Sequence, residues 1–342
     1  MTRQEILKEY KTKLGFPESI TMDKILDMLF DGEHDAEVIG AMPATIPEIA
    51  QKTGLDEGEI KGIVGRLFAR GAAAHPMNRP DVWKLFSVMI ELRDATIISP
   101  DIPQELVELW EKIIYDETRP LVEFMKGANL PSGLRVVPIE ETVESKDVIL
   151  DIDSARKLIR EAEVISAQPC ACRTHARRMG RGQDCPAPPE NVCMQVNGFA
   201  RSVIARGIGE QITTEEALRR LEATEKAGLI HTTRNSSAKD AFLCNCCGCC
   251  CTGFHFLKNY KYSGVFAPSR FGIRHNEELC TQCGTCVTRC QFGAISMDDN
   301  GTVKTDTSMC FGCGNCVYTC PSDARVLEEI RPREFVPASR HK

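Results

Sequence analysis

The first 169 of the 342 residues contain no cysteine, and all eighteen cysteines fall between Cys170 and Cys320. A chain of this length buries proper cores without disulfide staples, so a miniature secreted scaffold is excluded. No apolar run approaches a membrane span, and residues 1–8 carry neither an apolar signal core nor a cleavage site, so the chain reads as cytoplasmic. Low-complexity tracts are absent as well. Positive charge is not in excess: 42 Lys and Arg against 48 Asp and Glu leave a net charge of −6, which argues against a generally basic nucleic-acid binder. Gly180-Arg181-Gly182 and Gly207-Ile208-Gly209 do not extend to a G-x-G-x-x-G turn, and no Walker lysine, H-E-x-x-H or G-x-S-x-G pattern occurs. Bound nicotinamide, flavin or ATP is therefore unsupported. What the sequence does hold is thiol, and in a reducing compartment that density predicts metal ligation.

The cysteine-free front is patterned as scaffold. Thr45 and Glu48 have capping-box spacing, opening a helix to Lys52 that Gly54 can end in the left-handed conformation. Asp56 caps a second helix, with Ile60, Ile63, Val64, Leu67 and Phe68 on one face and Gly71 as its stop. A shorter helix is expected over about Met22 to Phe30. Ala72 to His75 and Val82 to Val88 flank the turn-rich Pro76-Met77-Asn78-Arg79-Pro80, as in a hairpin. Helix, helix-turn-helix and hairpin together resemble a winged helix. In DNA-binding versions the second helix of the turn carries cations, but here Lys61, Arg66 and Arg70 are cancelled by Asp56, Glu57 and Glu59, so protein docking or packing is the better reading. Pro103 to Lys126 reads as a helix with a break at Pro120. Strand-like runs at Arg135 to Ile139 and Val148 to Ile152 precede a helix over Ser154 to Ile165. Thr213 and Glu216 form another capping box, for a helix to about Ala227, followed by a strand at Leu229 to Thr233.

Near the C-terminus, Cys280, Cys283, Cys286 and Cys290 have the spacing C-x2-C-x2-C-x3-C, and Cys310, Cys313, Cys316 and Cys320 repeat it 30 residues later, before Pro321. A loop with thiolates at every third residue can wrap three corners of a cubane, leaving the fourth to come from elsewhere, with Gly284, Gly312 and Gly314 relieving crowding. Residues 268–330 resemble the two-cluster bacterial ferredoxins, in which the fourth cysteine of each run ligates the other cluster. That resemblance implies two 4Fe-4S clusters, one on Cys280, Cys283, Cys286 and Cys320, the other on Cys310, Cys313, Cys316 and Cys290. Gln291 departs from the pattern, standing where the second repeat has Pro321.

Ten cysteines remain. An extended backbone after Pro169 would aim Cys170 and Cys172 to one side, and with Cys185 and Cys193 they are candidates for a third cluster. Between Cys172 and Gly182, Arg173, Arg177, Arg178 and Arg181 with His175 read either as cations for an anionic cluster or as a solvated basic loop. Cys244, Cys246, Cys247, Cys249, Cys250 and Cys251 are candidates for an additional cluster. Only a subset is expected to serve, because neighbouring side chains diverge; a redox-active thiol pair is the rival. Cys246-Cys247-Gly248 resembles the CCG motif of heterodisulfide reductase catalytic subunits, but no second CCG segment follows and that activity is not carried over. Phe254, Phe256, Tyr260, Tyr262, Phe266 and Phe271, interleaved with His255, Lys258 and Lys261, read as a hydrophobic cover over clusters more than as a single-strand nucleic-acid platform.

The expected architecture is α+β and multidomain. It comprises a winged-helix-like module over 1–100, a helical linker with short strands over 101–152, a Cys-rich central domain over 153–267, a ferredoxin-like dicluster domain over 268–330 and a tail over 331–342. As a whole this resembles 4Fe-4S dicluster proteins of anaerobic bacteria and archaea. The resulting expectation is an electron-transfer protein with two 4Fe-4S clusters and one or two more, serving a partner oxidoreductase, with no membrane or nucleic-acid partner. The alternatives are a redox enzyme reducing a disulfide or other small substrate at a central cluster, and an iron–sulfur-dependent regulator. No catalytic residue is assigned.

Overall fold

Capping and glycine stops shape the front of the chain as its sequence requires. In the computed structural model, which describes residues 1–76, 79–237 and 242–338, the Thr45 hydroxyl accepts from the Glu48 N–H while Glu48 accepts from the Thr45 N–H at 2.7 Å. This full box opens the helix Ile46–Thr53, and Gly54 ends it at φ 78°. Asp56 caps Glu57–Arg70, which buries Ile60, Val64 and Leu67 and stops at Gly71. A Cβ on Gly71 would stand 2.4 Å from the Ala95 carbonyl oxygen, and its φ is also 78°, so only glycine fits. The strands Ala44–Thr45, Ala73–Ala74 and Val82–Leu85 form an antiparallel sheet with the last in the middle. Of the turn expected at residues 76–80, Met77 and Asn78 lie outside the described residues.

A helix the sequence reading passed over, Arg3–Lys13, opens with its own capping box from Thr2 and Glu5. The break in the 104–127 region also has another cause than expected. The helix Gln104–Lys112 widens into a π-helical turn at Ile113–Glu117, and a new helix starts at Arg119. Pro120 sits in the first turn of that new helix, where a missing N–H costs nothing.

The chain divides into two compact units. The first comprises Met1–Phe124, Pro169–Gln183 and Ser202–Gly209, and the second Met125–Gln168, Asp184–Arg201 and the chain from Glu210 onward. The second is organised by a seven-stranded sheet in the order Phe266–Ala267, Leu134–Val137, Ile230–Arg234, Phe242–Cys246, Cys193–Val196, Ile165–Gln168 and Glu210–Ile212. All its pairings are antiparallel except the first. One face buries Val137, Ile165, Met194, Val196 and Leu243 against Ile159, Ala217 and Leu221 of the helices Ala155–Arg160 and Thr214–Lys226. Strand alternation then sends Cys193, Cys244 and Cys246 to the opposite face.

Three local expectations fail here. Val148 to Ile152 is not a strand: it lies in 3-10 turns, Lys146–Val148 and Asp151–Asp153, and Val148 and Ile149 pack against Val143, Phe271 and Leu327. The helix expected to reach Ile165 ends at Arg160, because Ile165 begins a strand paired on both edges. The Thr213–Glu216 box is only half formed. Thr213 caps the helix, but the Glu216 carboxylate turns to Arg219 and Arg220 instead of the Thr213 N–H.

In the C-terminal region, Phe271–His275 pairs antiparallel with Arg325–Glu329, and Ile295–Met297 with Val303–Thr305. Two short helices, Thr285–Arg289 and Asn315–Tyr318, occupy equivalent places in the two repeats. Among the described residues no helix is long and apolar enough to cross a membrane.

Candidate metal centres

The two C-terminal cysteine runs wrap two cavities. The first is lined by Cys280, Cys283, Cys286 and Cys320, with Pro321 and Arg325. The second is lined by Cys290, Cys310, Cys313 and Cys316, with Phe292, Ile295, Phe311 and Leu327 among its apolar walls. Each cavity thus takes three thiols from one run and the last cysteine of the other. Glycine makes the turns possible. Gly284 and Gly314 stand at φ 75° and 88° as the N-caps of the two short helices, and at Gly312, φ 64°, a Cβ would lie 2.1 Å from the Phe271 carbonyl oxygen.

The surroundings differ. Around the first cavity Cys283 is exposed, and hydrogen bonds from the Thr285 hydroxyl and backbone hold its thiol below the usual range. Arg325 is 2% exposed and donates to Thr305 at 3.1 Å, while its Nη2 has no hydrogen-bond partner among the described residues. A buried guanidinium N–H left over beside four thiols fits an anionic group in that cavity. In the second cavity, burial raises the Cys310 and Cys313 thiols and pushes Cys316 up to about 12. Protonated thiols are costly ligands, and a positively charged metal core is what would let all four ionise. The Ala294 N–H donates to Cys290 Sγ at 3.3 Å, the kind of backbone contact that orients a thiolate ligand.

Aromatic side chains close the second cavity from behind. Phe292 and Phe311 stack with centroids 4.3 Å apart, Phe254 lies 5.0 Å from Phe292, and Phe266 lies 5.3 Å from Phe254. Of the six aromatics predicted as a cover, Phe254 and Phe266 join this wall. Phe256 instead stacks on Tyr260 at 5.7 Å, and Phe271 packs with Val143 and Leu327.

A separate thiol group forms in the same unit. Cys185, Cys247, Cys249 and Cys250 bring their sulfurs within 4.8 Å of one another, with Cys185 to Cys247 at 3.4 Å and Cys249 to Cys250 at 3.6 Å. Burial and the neighbouring sulfurs raise the Cys249 thiol to about 12. Nearby, Cys244 and Cys251 are hydrogen-bond partners of Cys246, and Cys193 is close enough to act on it electrostatically. Gln291 reaches across to this loop. Its Oε1 accepts from the Gly248 N–H and its Nε2 donates to the Gly228 carbonyl at 2.7 Å.

Comparison with known proteins bears on the C-terminal region. A family model for a 4Fe-4S dicluster domain matches residues 279–324. A probable ferredoxin of Methanosarcina thermophila is 48% identical over 33 residues, which is 10% of this chain and 57% of that protein. The chain carries a ferredoxin-type 4Fe-4S domain. No solved structure matches. The ferredoxin domain is one part of a multidomain α+β chain, and the separate thiol group lies outside the matched segment.

Outside the ferredoxin domain the thiols are placed differently from the sequence reading. Cys170 is the N-cap of the helix Ala171–Arg178 and Cys172 lies within it, so the extended geometry expected after Pro169 is absent. Both belong to the first unit, whereas Cys185 and Cys193 belong to the second, and Cys185 gathers with Cys247, Cys249 and Cys250. The adjacent Cys249 and Cys250 converge because they sit in a tight turn, where neighbouring side chains need not alternate. The basic stretch is neither a loop nor solvated throughout. Arg178 bonds Gln104 and the Ile102 carbonyl, and Arg181 bonds Glu111 and Tyr115, which fastens this helix to Gln104–Lys112. Buried Arg93, missed in the sequence, donates to His175 at 2.7 Å and to Cys172 Sγ at 3.6 Å. Arg325 was missed too, although the 30-residue repeat aligns it with Ile295 and so marks it as a charge in an apolar position.

Proposed function

We propose that this protein is an iron–sulfur electron carrier whose ferredoxin domain holds two 4Fe-4S clusters. Cys280, Cys283, Cys286 and Cys320 would hold the first, and Cys290, Cys310, Cys313 and Cys316 the second. The observation that carries this reading is that each four-thiol cavity draws its cysteines from both runs in the crossed pattern of dicluster ferredoxins. When bound, such clusters supply one-electron oxidation and reduction. The chain's own residues set the conditions: Arg325 places positive charge beside the first site, and Phe292 and Phe311 exclude water from the second. Electrons would enter or leave at the exposed Cys283 side, where a partner oxidoreductase can approach.

The front module would serve as a docking platform of winged-helix type. Its helix Glu57–Arg70 is poorly suited to phosphate, because Arg66 makes a bidentate pair with Asp35 at 2.6 and 3.0 Å and Arg70 bonds Asp31 at 2.6 Å. A regulator would need those cations on its target. The test is anaerobic purification with counting of iron and acid-labile sulfide, followed by electron transfer to and from a low-potential dye. About eight irons and eight sulfides, with dye reduction but no turnover of disulfide substrates, supports the carrier. Catalytic turnover by the isolated chain would replace it with the redox-enzyme reading.

A further inference from the structure

The sulfurs of Cys185, Cys247, Cys249 and Cys250 are packed at a spacing that selects what they can hold. Thiolates that share one tetrahedral zinc at about 2.3 Å stand about 3.8 Å apart, the edge of that tetrahedron. The distances of 3.4 Å and 3.6 Å, with every pair inside 4.8 Å, bracket that edge. In a cube each thiolate binds a different iron, with sulfide between the irons, so the four must stand farther apart. The ferredoxin domain provides the contrast within the same chain. Its thiols are spread around cavities, and among the described residues neither of its four-cysteine sets draws together as tightly.

We propose that Cys185, Cys247, Cys249 and Cys250 hold a single tetrahedral zinc ion and not an iron–sulfur cube. Four thiolates form a soft, closed ligand set with no position left for water, which is the donor chemistry of a structural zinc site. The local fold supports the charge this creates. Four thiolates on a divalent ion carry two net negative charges, and the Lys258 ammonium bonds the Gly248 carbonyl inside the ligand loop at 3.1 Å. The helix Thr252–Tyr260 begins immediately after the ligands, presenting its positive end to them. Gly248 is the one residue of the loop without a side chain. A Cβ there would meet Gln291 Oε1 at 2.8 Å and Lys258 Nζ at 2.9 Å. The ion would therefore tie the 247–250 turn to the Cys185 segment and, through the Gly248–Gln291 hydrogen bond, fix the residue that follows Cys290.

The full chain, purified without oxygen, is analysed for zinc, iron and acid-labile sulfide, and by X-ray absorption at the zinc edge. About one zinc per chain is expected, with four sulfurs at about 2.3 Å and no heavier neighbour. Cys185→Ser and Cys249→Ser are expected to lose the zinc and retain iron and sulfide. Zinc absent from the wild-type chain, or iron and sulfide lost together in these variants, would overturn the assignment. The wild-type absorption measurement stands even if a variant fails to fold. The iron count tests the carrier reading separately, since either metal can be present without the other.

Discussion

The two cysteine repeats of the ferredoxin domain share one spacing and differ in almost everything around it. In the first, the third position holds Gln282, left-handed at φ 56°, whose Oε1 accepts from the Val303 N–H at 2.7 Å. In the second, the equivalent Gly312 is pressed against the Phe271 carbonyl. The first cavity carries a buried arginine and an exposed thiol, whereas the second is walled by Phe292, Phe311, Ile295 and Leu327. On the proposed reading, identical ligands in unlike surroundings would give the two centres different potentials. A cation and solvent would favour the reduced, more negative form at the first, and an apolar wall would disfavour it at the second.

The most damaging way to break this asymmetry is Gly312→Ala. The new methyl has no room, and the chain is expected to lose the second centre, falling from about eight irons to about four. Gln282→Ala, at the equivalent site of the first repeat, should keep both centres, as iron analysis would show. Next in size is Gln291→Ala, which strands the Gly248 N–H, while the Gly228 carbonyl keeps its bond from Asn315 Nδ2. An unfolding loss of roughly 1–2 kcal/mol is expected in denaturant titration, with a changed EPR signal from the centre that Cys290 would serve. Arg325→Met removes the cation from the first cavity. The potential of that centre should fall by about 50–100 mV, equivalent to roughly 1–2 kcal/mol for one electron, and that of the second by less. Phe311→Leu, the mildest, should cost about 1 kcal/mol of stability and speed oxygen bleaching of the second centre several-fold, leaving the first unchanged.

How much of this was legible in the sequence depends on how local the cause was. Thr45 with Glu48, Asp56, Gly54 and Gly71 act on their own backbone, so their roles could be read directly. The cysteine spacing was equally plain, because a 30-residue displacement of four thiols needs no tertiary context. What failed was decided by distant partners. Glu216 leaves its cap for two arginines, Val148 and Ile149 pack on Phe271 and Leu327 instead of pairing as a strand, and Cys185 gathers with thiols more than sixty residues away. The convergence of Cys249 and Cys250 was hidden by assuming that neighbours diverge, which holds in strands and not in turns. Arg325 was visible only by laying one repeat over the other.

The most direct test is a potentiometric EPR titration of the anaerobically purified full chain, beside its Arg325→Met variant. The account predicts two one-electron steps, with the higher-potential step moving down in the variant while the lower one moves less. A chain that shows no reducible iron, or two centres that titrate together and ignore the substitution, would contradict it.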